Sequence, residues 1–363
     1  MIAAFEFMKG ILFVTLLAVS MASCRLLEKP KSITIVWEND KAVGLVIPKS
    51  RVRGYNAADI QVRLAKEGER IALLGTVQEE KEEFVFEPVV PLTYELQYEV
   101  MTGHVSIEVI VIPESEGERP HLTGAYPSQD TVPENLLKIH LTFSKPMAEG
   151  RSSDFLTLLK NDHDTVKGTF LDLQPELWNE EGSELTLWLD PGRIKLDLMP
   201  NKELGNPLEK GARYTLEISP AWRSKDGKRI NALRAMSFLV AARDNQSPRP
   251  DSWRMTSPNA ETNDVLTIDF GEALDYVLIQ HTIKIVDSEK KPVAGKIQIT
   301  GHQHVVDFIP DESWHLGRYF LQIEGRLEDL AGNNLNRLFE KDLLKEEKER
   351  KEREVFERKF EVK

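Results

Sequence analysis

Short alternating runs set the pattern of this chain from Ile33 onward. The runs ITIVW (33–37), AVGLVI (42–47), YELQYEV (94–100) and VSIEVIVI (105–112) are rich in β-branched or aromatic residues. They carry period-two stretches and are bounded by Gly, Pro, Asn or Asp. An apolar side chain at every second position turns one face of a strand toward a core. Strong amphipathic helices are scarce. Many short strands between turn signals predict an all-β chain of Greek-key β-sandwiches. Pro, Gly and charged residues cluster at 113–120 (PESEGERP) and 243–251 (RDNQSPRPD), and both clusters read as linkers. They divide the chain into 32–113, 118–242 and 248–363.

The second and third parts repeat each other. IHLTFSKPM (139–147) aligns with LTIDFGEAL (266–274), setting Phe143 against Phe270. The stretch 155–171 aligns with 282–299, setting Gly168 against Gly295. LEKGARYTLEI (208–218) aligns with WHLGRYFLQI (314–323), setting Tyr214 against Tyr319. SKDGKRIN (224–231) aligns with LEDLAGNNLN (327–336), and each repeat ends in a strand, AMSFLV (235–240) or VFERKFEV (355–362). The Gly-Arg-Tyr block reads as a turn that glycine permits, then a strand whose tyrosine points inward. The Asp/Gly/Asn block reads as a turn held by side-chain bonds to nearby backbone. The first part shares only the late block, in FVFEPVVPLTYELQYEV (84–100).

Three of these stretches, Phe-Ser-Lys-Pro-Met at 143–147, Gly-x-x-Tyr at 211–214 and Asp-Leu-Ala-Gly-Asn at 329–333, carry a resemblance. They are similar to the bacterial immunoglobulin-like domains of surface-layer and adhesin proteins. The stretch 125–147 follows that family most closely, and the third repeat departs from it, with Gly-Glu-Ala-Leu at 271–274. The resemblance covers 118–336 well and 32–113 weakly. It implies immunoglobulin-like sandwiches that serve as spacers, stalks or binding modules.

Composition then narrows the class. The chain has 363 residues, 41% of them hydrophobic, enough to fill several cores. Its 47 basic and 59 acidic residues give a formal charge of -12, which disfavours nucleic acid as a partner. The only Cys closes an apolar run, GILFVTLLAVSMA (10–22), that follows Lys9. A positive residue, a short apolar run and small residues before a cut site describe a secretory signal over 1–23. The run falls short of the roughly 20 residues that span a bilayer. Met21-Ala22-Ser23-Cys24 resembles a bacterial lipobox. That resemblance implies cleavage before Cys24, acylation of its sulfur, and a membrane lipid as partner. Acyl chains hold firmly because each buried methylene contributes about 0.8 kcal/mol. The alternative is a buried N-terminal helix with an incidental Cys. Glu6 fits a signal poorly, so Met8 is a second candidate initiator. Residues 24–31 then read as a tether. The implied address is the cell envelope, the outer membrane being favoured, facing periplasm or cell surface.

Candidate chemistry is sparse. The second repeat carries a surplus stretch, DPGRIKLDLMPNKELGNP (190–207), between strands. Long ordered loops often carry function. Arg193, Lys195 and Lys202 offer charge for an anionic partner or a sugar carboxylate, with Trp188 or Trp222 as a stacking platform. The alternative is a loop that folds back and covers a sheet edge, with Leu196, Leu198 and Met199 packed down. His302 and His304 are weak metal candidates at i and i+2, with His315 or Asp307 as a third ligand; the alternative is a solvated hairpin. The acidic turns at 160–164, 223–227 and 328–334 raise calcium against plain side-chain-held turns. No Gly-x-Ser-x-Gly, phosphate loop or His-Glu-x-x-His occurs. The charged stretch 341–354 mixes signs and reads as a solvated helix. These features predict a non-catalytic envelope protein without a cofactor, acting as spacer, scaffold or binding module. A carbohydrate-binding component is the alternative, with a protein or polysaccharide partner, and a hydrolase comes third.

Overall fold

The computed structural model describes residues 31–39, 41–66, 69–114, 117–196, 198–231, 233–340 and 352–363. The proposed signal, Cys24, nearly all of the tether and most of the charged stretch at 341–354 lie outside the described residues. Two compact units emerge. One is built from 42–92 and 96–112 with the residues up to 38, the other from 113–363 with the short pieces 39–41 and 93–95.

The first unit contains β1 (Thr34–Glu38), β2 (Lys41–Pro48), β3 (Ile60–Lys66), β4 (Glu69–Ala72), β5 (Gly75–Glu79), β6 (Glu83–Pro88), β7 (Gln97–Thr102) and β8 (Val105–Val111). They form sheets of order β1-β2-β6-β5 and β4-β3-β7-β8. Leu45, Ile47, Phe84, Phe86, Tyr98 and Val100 are buried on the inner faces. Alternation along β2 and β6 puts Leu45, Ile47, Phe84 and Phe86 there. The edge strand β8 exposes Val105, Val109 and Val111. Its ladder to β7 breaks where Val100 faces Glu108 and Met101 faces Ser106, leaving Ile107 as an extra residue. That bulge, with Glu108 paired to Arg51, blunts an otherwise sticky edge.

The second unit holds two sandwiches. One comprises β9 (Leu122–Tyr126), β10 (Thr131–Pro133), β11 (Lys138–Phe143), β12 (Leu156–Lys160), β13 (Asp164–Thr165), β14 (Leu177–Trp178), β15 (Glu184–Trp188), β16 (Arg213–Ile218) and β17 (Leu233–Ala241). Its sheets run β14-β15-β11-β9 and β10-β17-β16-β12-β13. The other comprises β18 (Arg254–Thr256), β19 (Leu266–Asp269), β20 (Ile283–Val286), β21 (Gly295–Thr300), β22 (Val305–Pro310), β23 (Gly317–Glu324) and β24 (Val355–Val362). Its sheets run β18-β19-β22-β21 and β20-β23-β24. Lettering the principal strands A to G in chain order gives A-B-E-D on one sheet and C-F-G on the other in all three sandwiches. That is the immunoglobulin order.

The repeat landmarks are core residues. Phe143, Phe270, Tyr214 and Tyr319 are all buried. Tyr214 opens strand F of its sandwich, and its hydroxyl accepts from the Glu209 N–H at 3.0 Å. Tyr319 does the same upstream, accepting from the His315 N–H at 3.3 Å and donating to the His315 carbonyl at 3.2 Å. Both are tyrosine corners, which tie the crossing between sheets to the core. Gly211, with φ at 84°, makes the turn before Tyr214 in a conformation that other residues adopt at a cost. Two separate apolar cores result, one around Trp222 and Phe238, the other around Trp253 and Trp314.

Candidate functional site

The surplus stretch contains two short helices, α1 (Pro191–Ile194) and α2 (Met199–Leu204). Asp190 caps α1, accepting from the Gly192 N–H at 2.8 Å. Arg193 is turned inward and only 7% exposed. Its Nε donates to the Gly205 carbonyl at 3.1 Å, Nη1 to Gly168 and Lys167 at 2.9 and 3.3 Å, and Nη2 to Asn206 and Leu204 at 3.3 and 3.4 Å. A guanidinium has five N–H groups, and these bonds engage all three nitrogens. It staples the stretch to itself and offers nothing to a ligand.

The other proposed ligand residues are also committed or scattered. Trp222 is 0% exposed, stacked on Phe155 at 5.8 Å, with its Nε1 donating to the Ala148 carbonyl at 3.1 Å. It is a core residue and presents no stacking platform. Trp188 is half-buried, with the Lys138 ammonium 5.3 Å above its ring. Lys195 lies 4.5 Å over the Phe339 ring in the third sandwich. Lys202 is exposed. The fold-back alternative does not hold for its apolar side chains. Leu196, Leu198 and Met199 are exposed, and Ile194 is the residue packed into the core.

The stretch braces the neighbouring sandwich. The Leu196 N–H donates to Glu340 at 3.0 Å, and Arg243 joins the Ile194 carbonyl at 2.9 Å to Glu340 at 2.6 Å. Beside this brace the Pro-rich linker is clamped. Asn135 exchanges two hydrogen bonds with the backbone of Asp244, at 2.8 and 2.9 Å. From the other side Asn333 donates to the Asp244 and Gln246 carbonyls at 3.4 and 3.2 Å.

A buried polar group completes the junction between the second and third sandwiches. Lys138 on β11 reaches Glu328 at 2.6 Å and Asp275 at 3.3 Å. His140, two residues on and facing the same way, is 3% exposed. It sits between Asp275 at 3.1 Å and Thr186 at 2.9 Å. Asp275 also caps α3 (Tyr276–Thr282), accepting from the Leu278 N–H at 2.9 Å. Burial opposes its charge, but the His140 ring and the Lys138 ammonium outweigh burial and hold its carboxyl well below the usual carboxylate range. Tyr276 then stacks on Tyr126 with centroids 3.6 Å apart and planes 7° apart.

The two histidines offered to a metal belong to the same junction. His302 Nδ1 lies 2.9 Å from the Ser128 carbonyl, and His304 Nε2 lies 3.2 Å from Gln129 Oε1. Asp307 is engaged by the Thr267 hydroxyl at 2.7 Å, and His315 stands beside Glu261. Among the described residues no metal-ligating group of three gathers around them. The acidic turn at 328–334 does contribute to a carboxylate cluster, in which Asp244, Glu272 and Asp329 bring oxygens within 4.8 Å of one another. Asp329 Oδ1 is used by the Ala331 and Asn333 N–H groups at 2.8 and 2.9 Å. Burial, with Asp244 nearby, pushes Glu272 up to about 7 and Asp329 up to about 8. The cluster therefore holds protons near neutrality. Sequence reasoning missed Glu272, Asp275 and Lys138 because nothing local marks them.

No family model and no curated protein matches this chain. Among solved structures, the N-terminal part of the bacterial S-layer protein SbsC aligns at 12% identity with a TM-score of 0.23. The alignment covers 56% of this chain and 40% of that one. Domains 4–9 of SbsC align at 12% identity and a TM-score of 0.20, covering 74% and 37%. The FN1–FN3 domains of chicken CNTN1 align at 10% identity and a TM-score of 0.20, covering 84% and 94%. This chain thus spans less than half the length of either S-layer structure. The strand order, rather than these distant likenesses, carries the fold. Among the described residues no helix is long and apolar enough to cross a membrane.

Proposed function

We propose that this chain is a non-catalytic, lipid-anchored envelope protein whose immunoglobulin-type sandwiches act as spacer or scaffold. One observation carries the reading. The polar and aromatic residues that the sequence offered for chemistry are mostly spent on structure, Arg193 and Trp222 within the second sandwich and His302 and His304 between the second and the third. A catalytic or sugar-binding site needs convergent groups left free for a ligand. Fold alone does not choose the role, since sandwiches of this kind host many.

The anchor at Cys24 rests on the lipobox resemblance, and it sets the address at an envelope membrane, the outer one being favoured. Cells fed labelled palmitate are expected to yield a labelled chain, and Cys24→Ala is expected to abolish the label. Persistence of the label in that variant would remove the anchor. A glycan array tests the scaffold reading separately. It is expected to stay blank, and a binder whose signal falls in Lys202→Ala would replace the scaffold with a carbohydrate-binding module.

A further inference from the structure

Three consecutive residues of the third sandwich, Gly301, His302 and Gln303, have φ at 55°, 56° and 64°. Left-handed residues normally occur singly, and those other than glycine, Asn or Asp are disfavoured there because Cβ crowds the following carbonyl. Such a conformation persists only where its surroundings over-determine it. The over-determination here comes from the second sandwich. Gln303 is 3% exposed, accepts from the Ser128 N–H at 2.9 Å and donates to the Ser128 hydroxyl at 2.7 Å. His302 meets the Ser128 carbonyl and His304 meets Gln129. The turn is in turn wired into its own sheet. The Leu274 N–H donates to the Gln303 carbonyl at 3.2 Å, and the Phe270 N–H donates to the His304 carbonyl at 2.9 Å. Leu274 directly precedes Asp275, the counter-ion of Lys138 and a hydrogen-bond partner of the His140 ring.

We propose that the left-handed turn Gly301–Gln303 is a latch, held in its strained form by the docked second sandwich and cooperative with the rest of the junction. When the sandwiches part, the turn loses Ser128 and relaxes. When the turn relaxes, Leu274 and Asp275 lose their placement and the ion group loosens. Docking and the turn's conformation are then two readings of one equilibrium.

Amide hydrogen exchange on the full chain tests this. The Ser128 N–H is protected by Gln303, and the Leu137 N–H is protected by the Leu330 carbonyl across the junction at 2.9 Å. Gln303→Ala is expected to speed exchange at Leu137 at least tenfold, although Gln303 makes no bond to it. Gly332→Ala, which wedges a methyl against Leu137, is expected to speed exchange at Ser128 and His304 by a similar factor. Changes confined to each variant's own contacts would overturn the latch. The unsubstituted chain gives a second reading, independent of whether the variants fold. In a series of mild denaturant concentrations, Ser128, Leu137 and His304 are expected to follow one common opening curve. Three separate curves would reduce the turn to a local feature.

Discussion

Arg193 shows how a charged residue serves a loop without serving a ligand. Its removal leaves carbonyls of 167, 168 and 204–206 without their donor. Arg193→Ala is expected to lower the unfolding free energy by about 2–4 kcal/mol in urea denaturation. Arg193→Lys is expected to recover little, since an ammonium cannot span carbonyls on both sides of a planar fork. Loss of less than about 0.5 kcal/mol would mean the loop holds itself. The carboxyls of Glu272 and Asp329 act through protons. Both have folded values, about 7 and about 8, above their ordinary ones. Folding therefore takes up protons between pH 4.5 and 8. The stability from these protons is fully present below the ordinary carboxyl range and is lost as pH rises through 7 to 8. Glu272→Gln stays neutral throughout, so urea curves taken from pH 5 to 8 should slope less in that variant than in the parent. An unchanged slope would refute this proton uptake by Glu272.

Among the elements, α3 is held from both sides of the junction. Asp275 caps its N-terminus, pairs with the Lys138 ammonium and meets the His140 ring at 3.1 Å. Two substitutions separate those roles. Asp275→Asn keeps an acceptor for the Leu278 N–H but discards the charge, which leaves a buried ammonium short of a partner. Asp275→Ala loses both. The extra loss in Ala over Asn is expected to be about 1 kcal/mol, the ordinary worth of a cap, and the loss in Asn to exceed it. Equal stability of the Asn variant and the parent would show that the buried ion pair contributes nothing. Strand identity was the legible part of such elements. LTLLK and RYTLEI alternate in sequence, and their alternate apolar residues Leu156, Leu158, Tyr214, Leu216 and Ile218 are buried in β12 and β16. Trp222, His302 and Gln303 were not legible, because their roles depend on partners far away in sequence. Ser128 and His302 meet across 174 positions, and no local period encodes that. The clamp on Pro-rich 243–251 was missed for the same reason. Composition marked a linker, and its hydrogen bonds to Asn135 and Asn333 were not visible in it.

At the scale of the molecule, the repeat was readable because each sandwich repeats the same landmarks, Phe143 and Phe270 or Tyr214 and Tyr319, in its own core. What the repeat concealed is that two cores form one compact unit. Calorimetry of the full chain is expected to show two transitions, one for each unit. Three would mean that the second and third sandwiches melt apart and the junction is weaker than its bonds suggest. Synthesis runs from the N-terminus, so residues 118–242 are complete before 248–363 exist. The surface that waits for its neighbour displays Lys138, His140, Ser128 and Gln129 beside the apolar Tyr126 and Leu137. Water can solvate that surface in the interval, while a misplaced neighbour would strand its ions without counterparts. A half-made chain therefore meets few temptations to cling to its siblings.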